Sequence, residues 1–349
     1  MLRTLAVLFL LASTAAAEAE APCEIVPIRS RQISQFKVGS DATTFGRLEF
    51  IGGIEMTSPN ALFGAVSAIR FRPDGESFAA VLDTGHWVEG AVVRDEAGML
   101  QGLTDLAITA MTDGNGAAQL EKWKVDSEGL ALRDGAVIVS FEQASRVDVY
   151  PDPGCAASRP IGQISLPFPV EELRSNGGLE TIAIAPKDGP LSGAAVIVAE
   201  RSVDTSGNLL AGILDGPMRG AFSVVRQDPY AVTDGAFLPN GDMLILERRF
   251  NFSSGLGMRI RRLAAADIRP GAVVDGEVLL EADMSYQIDN MEGLDVVSRP
   301  DGDMRVILVS DDNHSILERN LMLEFRLKDD ANRTGADRNN ADSSSSALN

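Results

Sequence analysis

Ala68-Ile69-Arg70-Phe71-Arg72-Pro73-Asp74-Gly75-Glu76-Ser77-Phe78-Ala79-Ala80-Val81-Leu82 sets two apolar runs around a tight-turn signal. Asp-Gly in that setting marks a β-hairpin, because both residues tolerate positive φ. The arrangement returns along the 349-residue chain at Asp134-Gly135, Asp188-Gly189, Asn240-Gly241 and Asp301-Gly302, with glycine separations of 60, 54, 52 and 61 residues. Pro73, Pro186, Pro239 and Pro300 precede four of these turns. Short alternating segments stand before the turns (68–71, 130–132, 181–184, 235–238, 294–297). More continuous apolar segments rich in Val, Ile and Leu follow them (78–82, 136–139, 194–199, 243–246, 306–309). Segments this short and this rich in branched residues read as strands rather than helices.

Third strands are expected at 146–150, 258–263 and 321–327, and fourth strands at 161–166 and 278–280. A unit of roughly 55 residues carrying up to four short strands has the size of a propeller blade, which buries its faces only against neighbouring blades. The predicted fold is therefore an all-β propeller. Five repeats are visible, and strand-like sequence at 32–38 and 47–54 is expected to close the ring and supply a sixth blade. A pair of β-sandwiches is the competing fold, but it does not predict such regular spacing. The long interval 202–220 in the third repeat reads as a surface hairpin or a flap over one end of the axis.

The ends of the chain differ from this pattern. Arg3 precedes the apolar run Leu5-Ala6-Val7-Leu8-Phe9-Leu10-Leu11, and Ala15-Ala16-Ala17 follows as a small-residue cleavage signal, so residues 1–17 read as an export leader. The run is too short to span a bilayer, and no later stretch approaches the roughly 20 apolar residues required. A periplasmic or secreted destination follows. The propeller domain is placed at 25–327, and the polar, serine-rich segment 329–349 reads as a disordered tail. Cys23 and Cys155 are the only cysteines; in an oxidising compartment they suggest one disulfide, with two unpaired thiols as the alternative. With only His86 and His314 beside them, a zinc site is not expected.

Fifty Asp and Glu against 31 Lys and Arg give a net charge of −19. Nucleic-acid binding needs basic clusters, and none exists here. The acids are not evenly spread. Ser67, Glu128, Glu180, Asp234 and Glu292 stand just before or at the start of the first strand of each repeat. Equivalent positions of successive blades lie at one height around the axis, so four carboxylates are expected to converge on one channel mouth. Ca²⁺ is the natural counter-ion, being a hard cation that takes six to eight oxygens. The alternative is that each acid only closes its own blade through backbone hydrogen bonds. A second polar ring is expected at the ends of the second strands: Asp83 with His86, Glu142, Glu200-Arg201, Glu247-Arg248-Arg249, and Asp311 with His314. Here His86, His314, Glu142 and Asp311 are the candidate acids and bases, and the forks of Arg201, Arg248 and Arg249 suit an anionic substrate. No Gly-x-Ser-x-Gly elbow, His-Glu-x-x-His or P-loop is present, which leaves metal-activated water as the chemistry that best matches the residue inventory.

The segments 63–69, 126–131, 178–183, 290–295 and 310–325 together resemble the phytase-like family of secreted bacterial β-propellers described as having esterase-like activity. The resemblance spans roughly residues 45–327. It departs from the family at Ala65-Val66-Ser67 and at Asp234. It implies a hydrolase, although fold alone assigns no reaction. Two functions are therefore expected to compete. One is a Ca²⁺-dependent hydrolase of phosphate or carboxylic esters, monomeric and acting on a small anionic substrate, with a lactonase as a variant. The other is a non-catalytic periplasmic propeller that binds a ligand or a protein partner.

Overall fold

The structure is a computed structural model that describes residues 24–118, 121–152, 159–251, 253, 255–299 and 302–328. The leader 1–17, the tail 329–349 and both cysteines, Cys23 and Cys155, lie outside the described residues. Five sheets form the blades of a propeller, antiparallel throughout except where Val273–Val274 adds parallel to the outer edge of the third. Their innermost strands are Val66–Phe71, Ser127–Arg133, Leu179–Ile184, Ala231–Phe237 and Asn290–Ser298, and each packs on the next until the fifth meets the first. The second strands, Ser77–Leu82, Ala136–Phe141, Ala195–Val203, Met243–Asn251 and Met304–Asp311, are the most apolar because a neighbouring blade covers each face.

Four of the predicted turn glycines, Gly75, Gly135, Gly241 and Gly302, take φ between 68° and 90°, as a tight hairpin requires. The third hairpin differs. Its connection spans 185–194, and Gly193, not Gly189, takes the left-handed conformation. The interval 202–220 is no flap: it contains the third strand of its blade, Leu209–Ile213, and leads into the fourth, Gly220–Val224. The fourth strand expected at 161–166 shrinks to Gly162–Gln163, between Pro160 and Pro167, residues that cannot donate to a ladder.

The expected sixth blade is not formed. Leu48–Thr57 instead pairs antiparallel with Asn320–Leu327, and Arg29–Ile33 adds outside it, so an early and a late segment of the chain complete one sheet. The segment has strand character because a strand was needed there, but it finishes the fifth blade rather than building another. A cluster of rings holds this closure: the Phe36 ring lies 5.1 Å from Phe45, 5.5 Å from Phe50, 5.0 Å from Tyr286 and 4.9 Å edge-on to Phe325. Phe36 is fully buried.

Candidate active site

Each inner strand carries a β-bulge near its start. The pairing skips Ser67, Glu128, Glu180, Thr233 and Glu292. A bulged residue has no cross-strand partner, and its side chain is re-aimed. Here the bulges of successive blades place these residues in one tier around the axis. Glycine follows two of the glutamates because the neighbouring strand leaves no room: a Cβ at Gly129 would collide with the carbonyl oxygen of Glu180, and one at Gly293 would lie 2.6 Å from the Val309 side chain.

The tier corrects the fourth acid. Thr233, not Asp234, is the equivalent of the three glutamates. Asp234 stands one residue further into the channel and is fully buried. Its two oxygens take both terminal nitrogens of Arg70 at 2.7 Å, and it accepts the Leu294 N–H at 2.8 Å. It is engaged in plugging the channel and does not line the mouth.

The ends of the second strands supply the other tier. The residues immediately beyond the last pair facing each bulge are Asp83, Glu142, Glu200, Arg248 and Asp311. Both tiers open into one cavity of about 270 Å³, where eight carboxylates face three cations, Lys122, Arg201 and Arg248. The fourth blade, with Thr233 and Arg248, is the only one of the five to place no acid in these two tiers.

Carboxylate oxygens of Asp126, Glu128 and Glu142 lie within 4.8 Å of one another, and so do those of Glu142, Glu180 and Glu200. Glu142 joins the two groups, oriented by the N–H groups of Gly177 and Gly178, which both donate to its Oε1. Arg248 bridges Glu292 at 3.0 Å and Glu200 at 3.9 Å. Lys122 pairs with Asp83 and, at 3.4 Å, with Asp126. Among the described residues Glu128 and Glu180 have neither an ion pair nor a hydrogen-bond donor, although Glu180 is only 8 % exposed. Burial and the surrounding carboxylates push both well above the ordinary carboxyl range. Burial also raises Glu292 to about 7, although Arg248 opposes it, and Asp311 to about 7 against the pull of the Asn313 N–H. Glu142 is raised by burial, in spite of its two backbone donors.

This donor set fits a hard divalent cation. It is all oxygen, short of positive charge, and includes two carboxylates, Glu128 and the buried Glu180, with no partner of their own among the described residues. Glu128, Glu142 and Glu180, flanked by Asp126 and Glu200, are the residues that would hold it.

Several predicted site residues are elsewhere. Arg201 and Arg248 line the cavity, whereas Arg249 does not. Successive residues of a strand point to opposite faces, and the Nε of Arg249 donates to the Tyr230 hydroxyl at 3.1 Å. Glu247 is likewise turned away, held by Arg259 at 2.6 Å and Arg261 at 2.7 Å. His86 begins the third strand of its blade, one strand further from the axis, where its Nδ1 lies 3.0 Å from the Thr84 hydroxyl and burial lowers its pKa. His314 is exposed in the loop after the second strand of the fifth blade. Neither histidine lines the cavity, while Glu142 and Asp311 do. Lys122, Gln143 and Asn176 also line it; they come from connections between strands, outside the repeating pattern that marked the other residues. Asp126, two residues before Glu128, had a visible signal in the spacing of the two acids.

No curated protein is matched. Among solved structures the chain is similar to a Thermus thermophilus protein described as an oxidoreductase (glucose dehydrogenase), at 13 % identity and a TM-score of 0.35, over 85 % of this chain and 100 % of that one. It is also similar to U3-55K, at 8 % identity and a TM-score of 0.37, over 76 % and 96 % of the two chains. The family model Phytase-like, esterase-like activity of phytase, matches residues 61–314. That match runs from just before the first inner strand to the loop beyond Asp311, and with it the chain belongs to the phytase-like family.

Proposed function

We propose that the protein is an exported, Ca²⁺-dependent hydrolase of phosphate or carboxylic esters that works at the acidic mouth of the channel. The observation that carries this reading is that Glu128, half-buried, and Glu180, buried, stand in two carboxylate groups joined by Glu142, in one acidic cavity, without a cation or a donor of their own among the described residues. Like charges at such distances repel by kcal/mol amounts, and a native state keeps them together only if something neutralises them. A leader at residues 1–17 would deliver the chain to a compartment outside the cytoplasm.

Calcium held there would offset the excess charge and polarise the ester or phosphoryl oxygen of the substrate. The protein's own residues supply the rest. Arg201, whose side chain is 46 % exposed and pairs at 3.2 Å with Glu200, can turn its remaining donors to an anionic group at the rim. Arg248 is more deeply placed and holds Glu200 and Glu292 in position. Glu292 and Asp311 titrate near neutrality and can hold or release a proton at an oxygen facing the cavity. The absence of any histidine from the lining keeps a second reading in play, a calcium-stabilised binding module without turnover.

One experiment separates the two. Aryl phosphates and aryl esters are assayed with added Ca²⁺ on the wild type and on Glu180→Gln. The hydrolase reading expects wild-type turnover that falls at least about 100-fold in the variant, on the scale of losing one group that stabilises transition-state charge. Equal rates for both proteins overturn the site assignment. A Ca²⁺-dependent rise in melting temperature with no turnover supports the binding module.

A further inference from the structure

Three residues beyond each bulge, the inner strands place Arg70, Ala131, Ala183, Ala236 and Asp295 in another tier, and these line a second cavity of about 210 Å³. Three alanines in one tier leave a hollow that larger side chains would fill. Phe237 and Val296 are among the apolar walls. The two cavities are kept apart by Arg70 and Asp234. Besides its two bonds to Asp234, Arg70 donates to the carbonyls of Ile69, Ile182, Gly235 and Leu294 at 2.6 to 2.9 Å, all at one level between the tiers. That pair is neutral in itself, and the donors on both terminal nitrogens are spent.

Asp295 is left over. It is only 8 % exposed, it lines the cavity, and its Oδ2 accepts the Phe71 N–H at 2.6 Å. Among the described residues it has no ion pair and no side-chain hydrogen-bond donor. A buried carboxylate in this position has nearby only the guanidinium of Arg70, already engaged by Asp234, and apart from Arg70 and Asp295 the side chains around the hollow are apolar. Burial raises it to about 6, against the pull of the nearby Arg70, so at pH 7.5 it is mostly ionised.

We propose that this cavity is a binding site for a small primary amine with a compact apolar body, whose ammonium donates to Asp295 and whose hydrocarbon occupies the space left by the three alanines. A cavity of about 210 Å³ has room for a six-membered ring bearing one amino group. The site is independent of the ester-hydrolysis reading, because the Arg70–Asp234 plug separates it from the acidic mouth.

The test is calorimetric titration of the full chain at pH 7.5 with cyclohexylamine, cyclohexanol and cyclohexanecarboxylate, three probes of one shape. The amine is expected to bind at least tenfold more tightly than the alcohol, and the carboxylate not at all. Asp295→Asn keeps an acceptor for the Phe71 N–H and should weaken the amine at least tenfold. Val296→Phe, at a partly exposed wall position, should abolish binding and covers the case in which Asp295→Asn does not fold. The proposal is overturned if the alcohol binds as tightly as the amine, if folded Asp295→Asn keeps wild-type affinity, or if Val296→Phe still binds the amine as the wild type does.

Discussion

Arg70 and Glu180 illustrate two fates of a charge placed near the axis. Arg70 is buried, yet two carboxylate bonds and four carbonyls meet its terminal nitrogens. Glu180 is buried with nothing among the described residues to meet it. The first arrangement is structural: removing one partner of a buried pair leaves the other uncompensated, at a cost of about 3–5 kcal/mol. Arg70→Ala should therefore lower unfolding stability by that amount in a urea titration, and a loss under about 1 kcal/mol would show that the plug is dispensable. The second arrangement has the character of a ligand site. A strand register shifted by one residue separates the two, since Asp234 belongs to the plug and Thr233 to the tier of the glutamates. In the sequence, Thr233-Asp234-Gly235 and Met291-Glu292-Gly293 look interchangeable; only the pairing of Val232 with Glu247 and of Asp234 with Leu246 reveals the shift.

At the level of the strand, the bulge is the device that builds the mouth. Its glutamate is re-aimed, and the next residue is pressed against the neighbouring blade. Gly129 shows how tightly: its N–H donates to the Ser140 hydroxyl at 2.9 Å, and a Cβ there would meet both that hydroxyl and the Glu180 carbonyl. Gly129→Ala is expected to cost about 1–3 kcal/mol as an overpacking change and to weaken Ca²⁺ binding by displacing Glu128. Calorimetry on the purified variant measures both, and wild-type values for the two would mean that the bulge has slack. Ring closure is the other elemental feature. Phe36 anchors the segment between the two outer strands of the fifth blade, packed against rings from both ends of the chain. Phe36→Ala should destabilise by about 3–5 kcal/mol, read as a fall in the denaturant midpoint at unchanged slope. A drop in the slope as well would indicate that the closing strands detach separately.

For the molecule as a whole, the acidic mouth links stability to pH and, on the proposed function, to calcium. Glu128, Glu180, Glu292 and Asp311 all have folded-state pKa values above those of free carboxyls, the last two at about 7. The folded state therefore holds more protons than the unfolded chain between about pH 4 and 7, and the stability these groups contribute is lost as pH rises through that window. Without calcium, the melting temperature should fall from pH 5 to pH 8. Saturating Ca²⁺ should restore it at pH 8, by about 2.7 kcal/mol at 100 times the dissociation constant, and have little effect at pH 5, where protons already neutralise the carboxyls. A calcium-free protein that grows more stable from pH 5 to pH 8 contradicts this account.

Local chemistry determined much of this protein without reference to any tertiary contact. The Asp-Gly and Asn-Gly turns at nearly even spacing, with branched apolar runs on both sides, dictated hairpins, blades and a ring, because hairpin geometry depends on a few adjacent residues. The excess of carboxylates at strand starts and ends likewise marked one mouth as acidic. The tertiary structure alone decided the count of five blades, since whether residues 48–57 form a new blade or complete the last depends on a partner strand, Asn320–Leu327, at the far end of the chain. It also decided which acids meet: a bulge moves a side chain by one position, and an Arg70 from the first blade claims an Asp234 from the fourth, through distances that exist only once the ring is closed.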